Sequence, residues 1–504
     1  MAQRTQCKLA DEIVALRRER AHSDPQPDAI VIAPSVNPTY VRGFGERIRE
    51  LGGPPSMMEW ITESHGYVFR IPEASAREKE VIVNFLHERR DEIFFHDLVA
   101  TLRASARLDT VFRTPYLPSS LFDWLERFSN LKWDQSNVAK IARRFHDYGE
   151  QLAELLGVER LRWIVNNTRR VLALSDLPLE WALVDGVPLG AMIRVARLPI
   201  APGNTPVRAL MDHRPPSLWR SIDDVRVLFV SGHLPSDPLA PFPRQLAELV
   251  RHVGFTVAYE EVRSETEFLK ALSRHQPNLL YISTHGQAVP DEGAAICFGD
   301  QPSLLLFDQL PHAPDVAIIS ACGSDRFVRT YGTPASRLYL SDVRAVLGSY
   351  VNLTEPHATH TAMQIFGTLR ELLNDRGATA SWQDIVFLAL RRTQALDIVI
   401  SAERWATRRG KPFPDPDILY ERLGQSLVRQ EPTSHSEYTR EVPRRLLEVA
   451  QGTPFEAPLT AVISRGLYRP ESWFYTHIGE PDRVLVGKGW EEILPLNVEE
   501  QRPA

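Results

Sequence analysis

Between residues 225 and 351 short apolar runs alternate with amphipathic stretches, the rhythm of parallel strands joined by crossover helices. Apolar runs at 225–230, 256–260, 278–284, 315–321 and 344–351 predict strands. Helical spacing predicts helices over 243–253, 264–275 and 358–373. Two runs near 294–298 and 303–307, separated by Gly299-Asp300-Gln301-Pro302, predict a β-hairpin. The fold class expected is therefore α/β, a mostly parallel central sheet flanked by helices.

The pattern changes outside this window. Residues 1–158 carry apolar positions at helical spacing, for example Ile82, Phe85, Leu86, Ile93, Phe94 and Leu98, and later Val138, Ile141, Phe145, Tyr148, Leu152 and Leu155. They predict a mainly helical N-terminal domain, with one short strand candidate at 29–33. No self-similarity of about 34 residues supports a helical repeat array. Residues 159–215 read as strands at 170–174 and within 187–200, closed by a proline-rich linker from Pro199 to Pro216. A catalytic core is expected over 222–395. Residues 396–460 are charged and proline-punctuated and read as an insertion, with a helix over 418–428 and a solvated basic face from Arg404 to Lys411. A final strand region follows at 461–490, with its strand at 472–478.

Composition narrows the function classes. The 504 residues are 43% hydrophobic and 24% charged, as in globular proteins, and allow several domains. A formal net charge of −6 argues against a nucleic-acid or anionic-membrane partner for the whole chain. Three cysteines, Cys7, Cys297 and Cys322, form no C-x-x-C pair, so neither a zinc knuckle nor a disulfide framework is expected. The charged start lacks the apolar core of a signal peptide, and no run approaches the ~20 residues needed to span a bilayer. The expectation is a cytoplasmic protein.

Two strand ends carry the chemistry. One reads Tyr281-Ile282-Ser283-Thr284-His285-Gly286, the other Ile318-Ile319-Ser320-Ala321-Cys322-Gly323. If these strands are parallel neighbours, imidazole and thiol emerge at one sheet edge, where open α/β sheets place their sites. A Cys or a His after an apolar strand is singly more often structural; the joint pattern makes His285 and Cys322 a candidate base and nucleophile. Backbone N–H groups of Gly286 and Cys322 are candidate oxyanion donors. Cys297 and Cys7 read as structural. The loop 231–237 after the first core strand ends in Asp237, and Asp325 follows Cys322. Both are candidates for substrate binding, with Asn352 and Glu355 as weaker ones.

Thr284-His285-Gly286 and Ser320-Ala321-Cys322-Gly323 resemble the His-Gly and Ser-Ala-Cys motifs of CHAT domains, caspase-like cysteine peptidases of clan CD related to separase. Leu177-Pro178-Leu179-Glu180-Trp181 is similar to the segment that opens many such domains, and Val346-Leu347-Gly348-Ser349-Tyr350 and Ser472-Trp473-Phe474-Tyr475 extend the likeness over roughly 165–485. The resemblance implies a caspase-like fold with a pseudo-subunit before the core. It implies endopeptidase activity with no cofactor and no metal in the chemistry. It also implies a protein substrate, for example a gasdermin-like effector, and an activating sensor in a bacterial antiviral or stress system. Ser320 stands where caspases carry Gln, and the usual tetratricopeptide neighbours are missing. The competing readings are a catalytically silent scaffold or signal-binding module, and an acyl-transferring hydrolase. The last lacks the first glycine of a nucleophile elbow.

Overall fold

A computed structural model describes residues 28–33, parts of 94–129, 138–199, 214–289, 293–321 apart from 306–308, 324, 333–415, 419, 435–465 and 471–490. Its frame is a ten-stranded sheet. In chain order the strands are β1 (Ala29–Ile32), β2 (Thr110–Arg113), β3 (Arg170–Leu174), β4 (Arg194–Leu198), β5 (Arg226–Ser231), β6 (Thr256–Glu261), β7 (Leu279–Ser283), β8 (Val316–Ser320), β9 (Ala345–Ser349) and β10 (Tyr475–Gly479). The principal helices are α1 (Ser120–Ser129), α2 (Val138–Leu156), α3 (Val158–Asn167), α4 (Pro241–His252), α5 (Glu265–His275), α6 (Pro334–Leu340), α7 (Glu355–Asn374), α8 (Trp382–Thr407), α9 (His435–Ala450) and α10 (Glu456–Ile463).

Across the sheet the order is β2-β1-β3-β4-β10-β9-β8-β7-β5-β6. Every neighbouring pair is parallel except β10 with β9. The sheet is thus two parallel blocks running in opposite directions, joined at that one antiparallel seam.

The second block is wound on both faces. Alternate residues of its strands, such as Leu228, Leu280, Ala317 and Val346, pack with Phe268 and Leu272 of α5 and Leu338 of α6. The intervening positions, Phe229, Tyr281, Ile318 and Leu347, pack with Leu246 of α4, Phe366 of α7 and Trp382 of α8. Near-continuous apolar strands are what burial on both faces requires. Between β7 and β8 a small antiparallel sheet is inserted, from strands Gly286–Val289, Gly293–Phe298 and Gln301–Ser303. Its second turn is the expected hairpin, tightened to the two residues Gly299-Asp300, with Gly299 at φ +64°.

Among the described residues before 159, β1 and β2 extend the main sheet through β3, alongside the expected helical segments. Helices α1 to α3 cover one face of that block, packing Phe128, Phe145 and Leu161 around the buried Trp181. The described part of 396–460 is packed onto the rest of the chain, while Arg408, Arg409 and Lys411 of the basic face are exposed. The boundary at 396 falls inside α8, and Ile398, Val399 and Ala402 on that helix pack with Val442 and Leu446 of α9 and Leu459 of α10. The expected helical stretch carrying Ile82 to Leu98 and the expected helix over 418–428 lie largely outside the described residues. No described helix is long and apolar enough to cross a membrane.

Candidate active site

β7 pairs with β5 on one side and β8 on the other, with Ser283 opposite both Ser231 and Ser320. Two residues beyond each aligned serine stand His233, His285 and Cys322. Thr284 continues the β7–β8 ladder by donating its N–H to Ser320 O at 3.2 Å.

His285 is half exposed, at 51% of its side-chain surface. Its Nε2 lies 2.5 Å from Asp237 Oδ2. That oxygen also lies 3.2 Å from Nδ1 of His233, whose Nε2 lies 3.1 Å from Ser283 Oγ. Leu239 N–H donates to Asp237 Oδ1 at 2.9 Å, fixing the carboxylate in a turn of its own loop. Burial raises the Asp237 carboxyl, but the bonds from Leu239 N–H, His285 and His233 outweigh it and hold it below the ordinary carboxylate range. Burial pulls the His233 imidazole down, against the opposing pull of Asp237.

These contacts assign the protons. An ionised carboxylate only accepts, so Nε2 of neutral His285 and Nδ1 of neutral His233 carry the hydrogens that face Asp237. Ser283 O–H then donates to His233 Nε2. The basic nitrogen left on His285 is Nδ1.

The backbone beneath this chain is closely packed. Gly232 N–H donates to Ser283 O at 2.9 Å, and Gly299 N–H donates to Gly232 O at 2.8 Å. A Cβ at Gly232 would come within 2.5 Å of both Cys297 O and Thr284 Oγ1, so glycine is required for this approach. Cys297 N–H donates to His285 O at 2.8 Å. Gly286 therefore faces Ile296 in a non-hydrogen-bonded pair, and its N–H points away from that neighbour.

Cys322 and Asp325 lie outside the described residues, as does Cys7. The residues that bracket Cys322 and Gly323 are held firmly. Ala321 O accepts from Ser324 N at 3.3 Å and from Ser349 Oγ at 3.4 Å, and Ser349 N–H donates to Ser324 Oγ at 3.0 Å. Ala321 and His285 both line one cavity of about 90 Å³ between the sheet and helices α4 and α7. Its walls are mainly apolar, from residues such as Phe242, Leu246 and Ile318, with Tyr281 and Tyr475 adding hydroxyls. Burial pushes the Tyr281 hydroxyl up to about 12.

Of the carboxylates singled out in the sequence, Asp237 does not line this cavity; it is turned toward the histidines. Glu355 does line the cavity. Cys297 is buried and its thiol is raised by that burial, in keeping with a structural residue. His233 was not singled out. Its signal was present all the same: Ser231-Gly232-His233 repeats the Ser-x-His and Ser-x-Cys endings of β7 and β8.

No protein-family model and no curated protein matches the chain. Solved structures do. The Arg-specific cysteine proteinase gingipain R aligns over 73% of this chain and 74% of its own, at 13% identity and a TM-score of 0.35. A complex of the pro- and mature domains of Porphyromonas gingivalis RgpB aligns over 73% and 76%, at 13% identity and a TM-score of 0.33. The Saccharomyces cerevisiae separase–securin complex aligns over 54% of this chain and 19% of its own, at 12% identity and a TM-score of 0.31.

Proposed function

We propose that the chain is a cysteine endopeptidase in which Cys322 is the nucleophile and His285 the general base. One observation carries the reading. His285 is held through Nε2 by Asp237, at the end of a strand in register with the strand that leads to Cys322. Cys322 is one peptide unit, about 3.8 Å between Cα atoms, from Ala321, which shares a cavity with His285.

The Cys322 thiol gives its proton to His285 Nδ1, and the thiolate attacks the scissile carbonyl carbon. The N–H groups of Gly286 and Cys322 receive the oxyanion, each donor being worth roughly 2.7–4 kcal/mol. His285 returns the proton to the leaving amine as the C–N bond breaks. Water, deprotonated by the same nitrogen, then splits the thioester and frees Cys322. Asp237 acts through His285 by fixing its tautomer and stabilising the imidazolium. Asp325 and Glu355 remain the carboxylates assigned to substrate contact.

The finer reading follows from the sequence motifs. It is a CHAT-type, caspase-like peptidase of a bacterial defence or stress system. A sensor or partner switches it on, and it cuts a protein effector of the gasdermin-like kind. The test is incubation with proteins encoded beside its gene, wild type against Cys322→Ala, read by intact mass. A new pair of fragments from the wild type alone supports the assignment; fragments from both proteins refute it.

A further inference from the structure

The His233–Asp237–His285 chain has a second capacity. Each of the three offers one ligand atom, and these atoms all lie within 4.8 Å of one another. Two imidazole nitrogens and a carboxylate oxygen suit zinc and its transition-metal neighbours, and three protein ligands with an open fourth position form a stable zinc environment.

The spacing fits. Ligands at about 2.0–2.1 Å from a tetrahedral ion stand roughly 3.3 Å apart. His233 Nδ1 and Asp237 Oδ2 are already 3.2 Å apart. His285 Nε2, now 2.5 Å from the same oxygen and within 4.8 Å of the His233 nitrogen, must shift to stand about 3.3 Å from both. It sits on the exposed side of the cluster, whereas His233 is only 3% exposed and fixed. The far nitrogen of His233 is hydrogen-bonded to Ser283 Oγ, the outer partner that metal-ligating histidines almost always have.

We propose that a zinc-class divalent ion binds His233 Nδ1, Asp237 Oδ2 and His285 Nε2 and holds the peptidase in a reversible off state. Proton balance gives the mechanism. Neutral His233 moves its hydrogen from Nδ1 to Nε2, where it donates to Ser283 Oγ. Neutral His285 moves its hydrogen from Nε2 to Nδ1. No proton leaves either ring, and no bond to carbon changes. The nitrogen that would take the Cys322 proton now carries one of its own, so the base is lost. This consequence rests on the peptidase reading; the binding itself does not.

The test uses the full chain carrying Cys322→Ala, stripped with chelator, so that neither thiol ligation nor proteolysis enters. Zinc chloride is titrated calorimetrically, and cobalt(II) is followed by its visible absorption. One equivalent should bind, with the strong absorption of a four-coordinate site. His233→Asn and Asp237→Asn should each weaken binding by at least about 10–100-fold, and Ser283→Ala by about 10-fold. Circular dichroism checks that each variant folds, and Ser283→Ala, which leaves all three ligands in place, covers failure of the others. No binding at all, or binding unchanged by the three substitutions, overturns the site. Binding seen only when Cys322 is present also overturns it. With the wild type and an identified substrate, zinc should stop cleavage and chelator restore it. Cleavage unaffected at saturating zinc overturns the off state while leaving the site. Absence of cleavage under all conditions refutes the peptidase reading and leaves the calorimetry intact.

Discussion

Among the described residues, two His–Asp networks are built of nearly the same parts. At the edge of the second block, Ser283, His233, Asp237 and His285 form a chain that ends half exposed beside a cavity. Behind that cavity, His357 Nε2 on α7 lies 3.0 Å from Asp397 Oδ1 on α8, each side chain 1% exposed. Ser472 Oγ donates to Asp397 Oδ2 at 2.6 Å. The second set has the residue types of a hydrolase triad, but its His357 and Asp397 are buried and its Ser472 lines a cavity of only about 40 Å³. Its electrostatics are opposite too. Burial raises the Asp397 carboxyl despite His357 and Ser472, whereas hydrogen bonds lower Asp237 despite burial. Residue identity does not separate the two sets; access to water and the direction of the carboxyl's shift do.

Substitution breaks the comparison most sharply at the exposed end. His285→Ala should cost the cleavage rate about 10²–10⁴-fold with little change in stability, measured by single-turnover cleavage beside thermal unfolding. His357→Ala, if the comparison is sound, does the reverse. Asp397→Ala leaves His357 buried without its acid and should lower stability by about 3–5 kcal/mol in urea unfolding, while the folded fraction keeps its rate per molecule. Asp237→Asn should lower the rate roughly 10²-fold, equivalent to about 2.7 kcal/mol, because an amide N–H facing Nε2 favours the wrong tautomer. A rate unchanged in that variant removes Asp237 from the mechanism.

The most gradual effect is a pH slope on the buried side. His477 on β10 is fully buried with no hydrogen-bond partner for Nε2, and burial lowers its pKa to about 3. The unfolded chain, with an ordinary imidazole near 6.5, binds the proton more readily. Its contribution to stability is therefore complete above about pH 6.5 and is lost as pH falls toward about 3, by at most ~1.4 kcal/mol per pH unit. His477→Leu should flatten that part of the stability profile.

The second block was legible because its strands are apolar on both faces and long enough to stand out. In the first block the strands at 29–33, 170–174, within 187–200 and at 472–478 were legible too, but β2 and the joining of these strands into the main sheet were not. β2 is Thr-Val-Phe-Arg, four residues with a polar one at each end, and nothing local marks it as a strand. Helix α8 misled for the opposite reason. It is buried on most sides, so it has no polar stripe to give a helical period, and its charged continuation looked like an insertion. At the site, His285 was visible as a strand ending. The role of Asp237 was hidden because its partner stands 48 positions away in sequence. Only the pairing of β5 with β7 brings the two loops together.

The seam between the blocks has a consequence for how the chain is made. β10 lies between β4 and β9, yet it is the last strand of the sheet to leave the ribosome. Before residues 475–479 emerge, the two blocks share no strand. The same late segment delivers Glu471, whose carboxylate accepts from Thr354 N–H at the start of α7, the helix that walls the cavity. Chain order therefore leaves the edge that carries His285 without its full surroundings until residues 471–479 have been made.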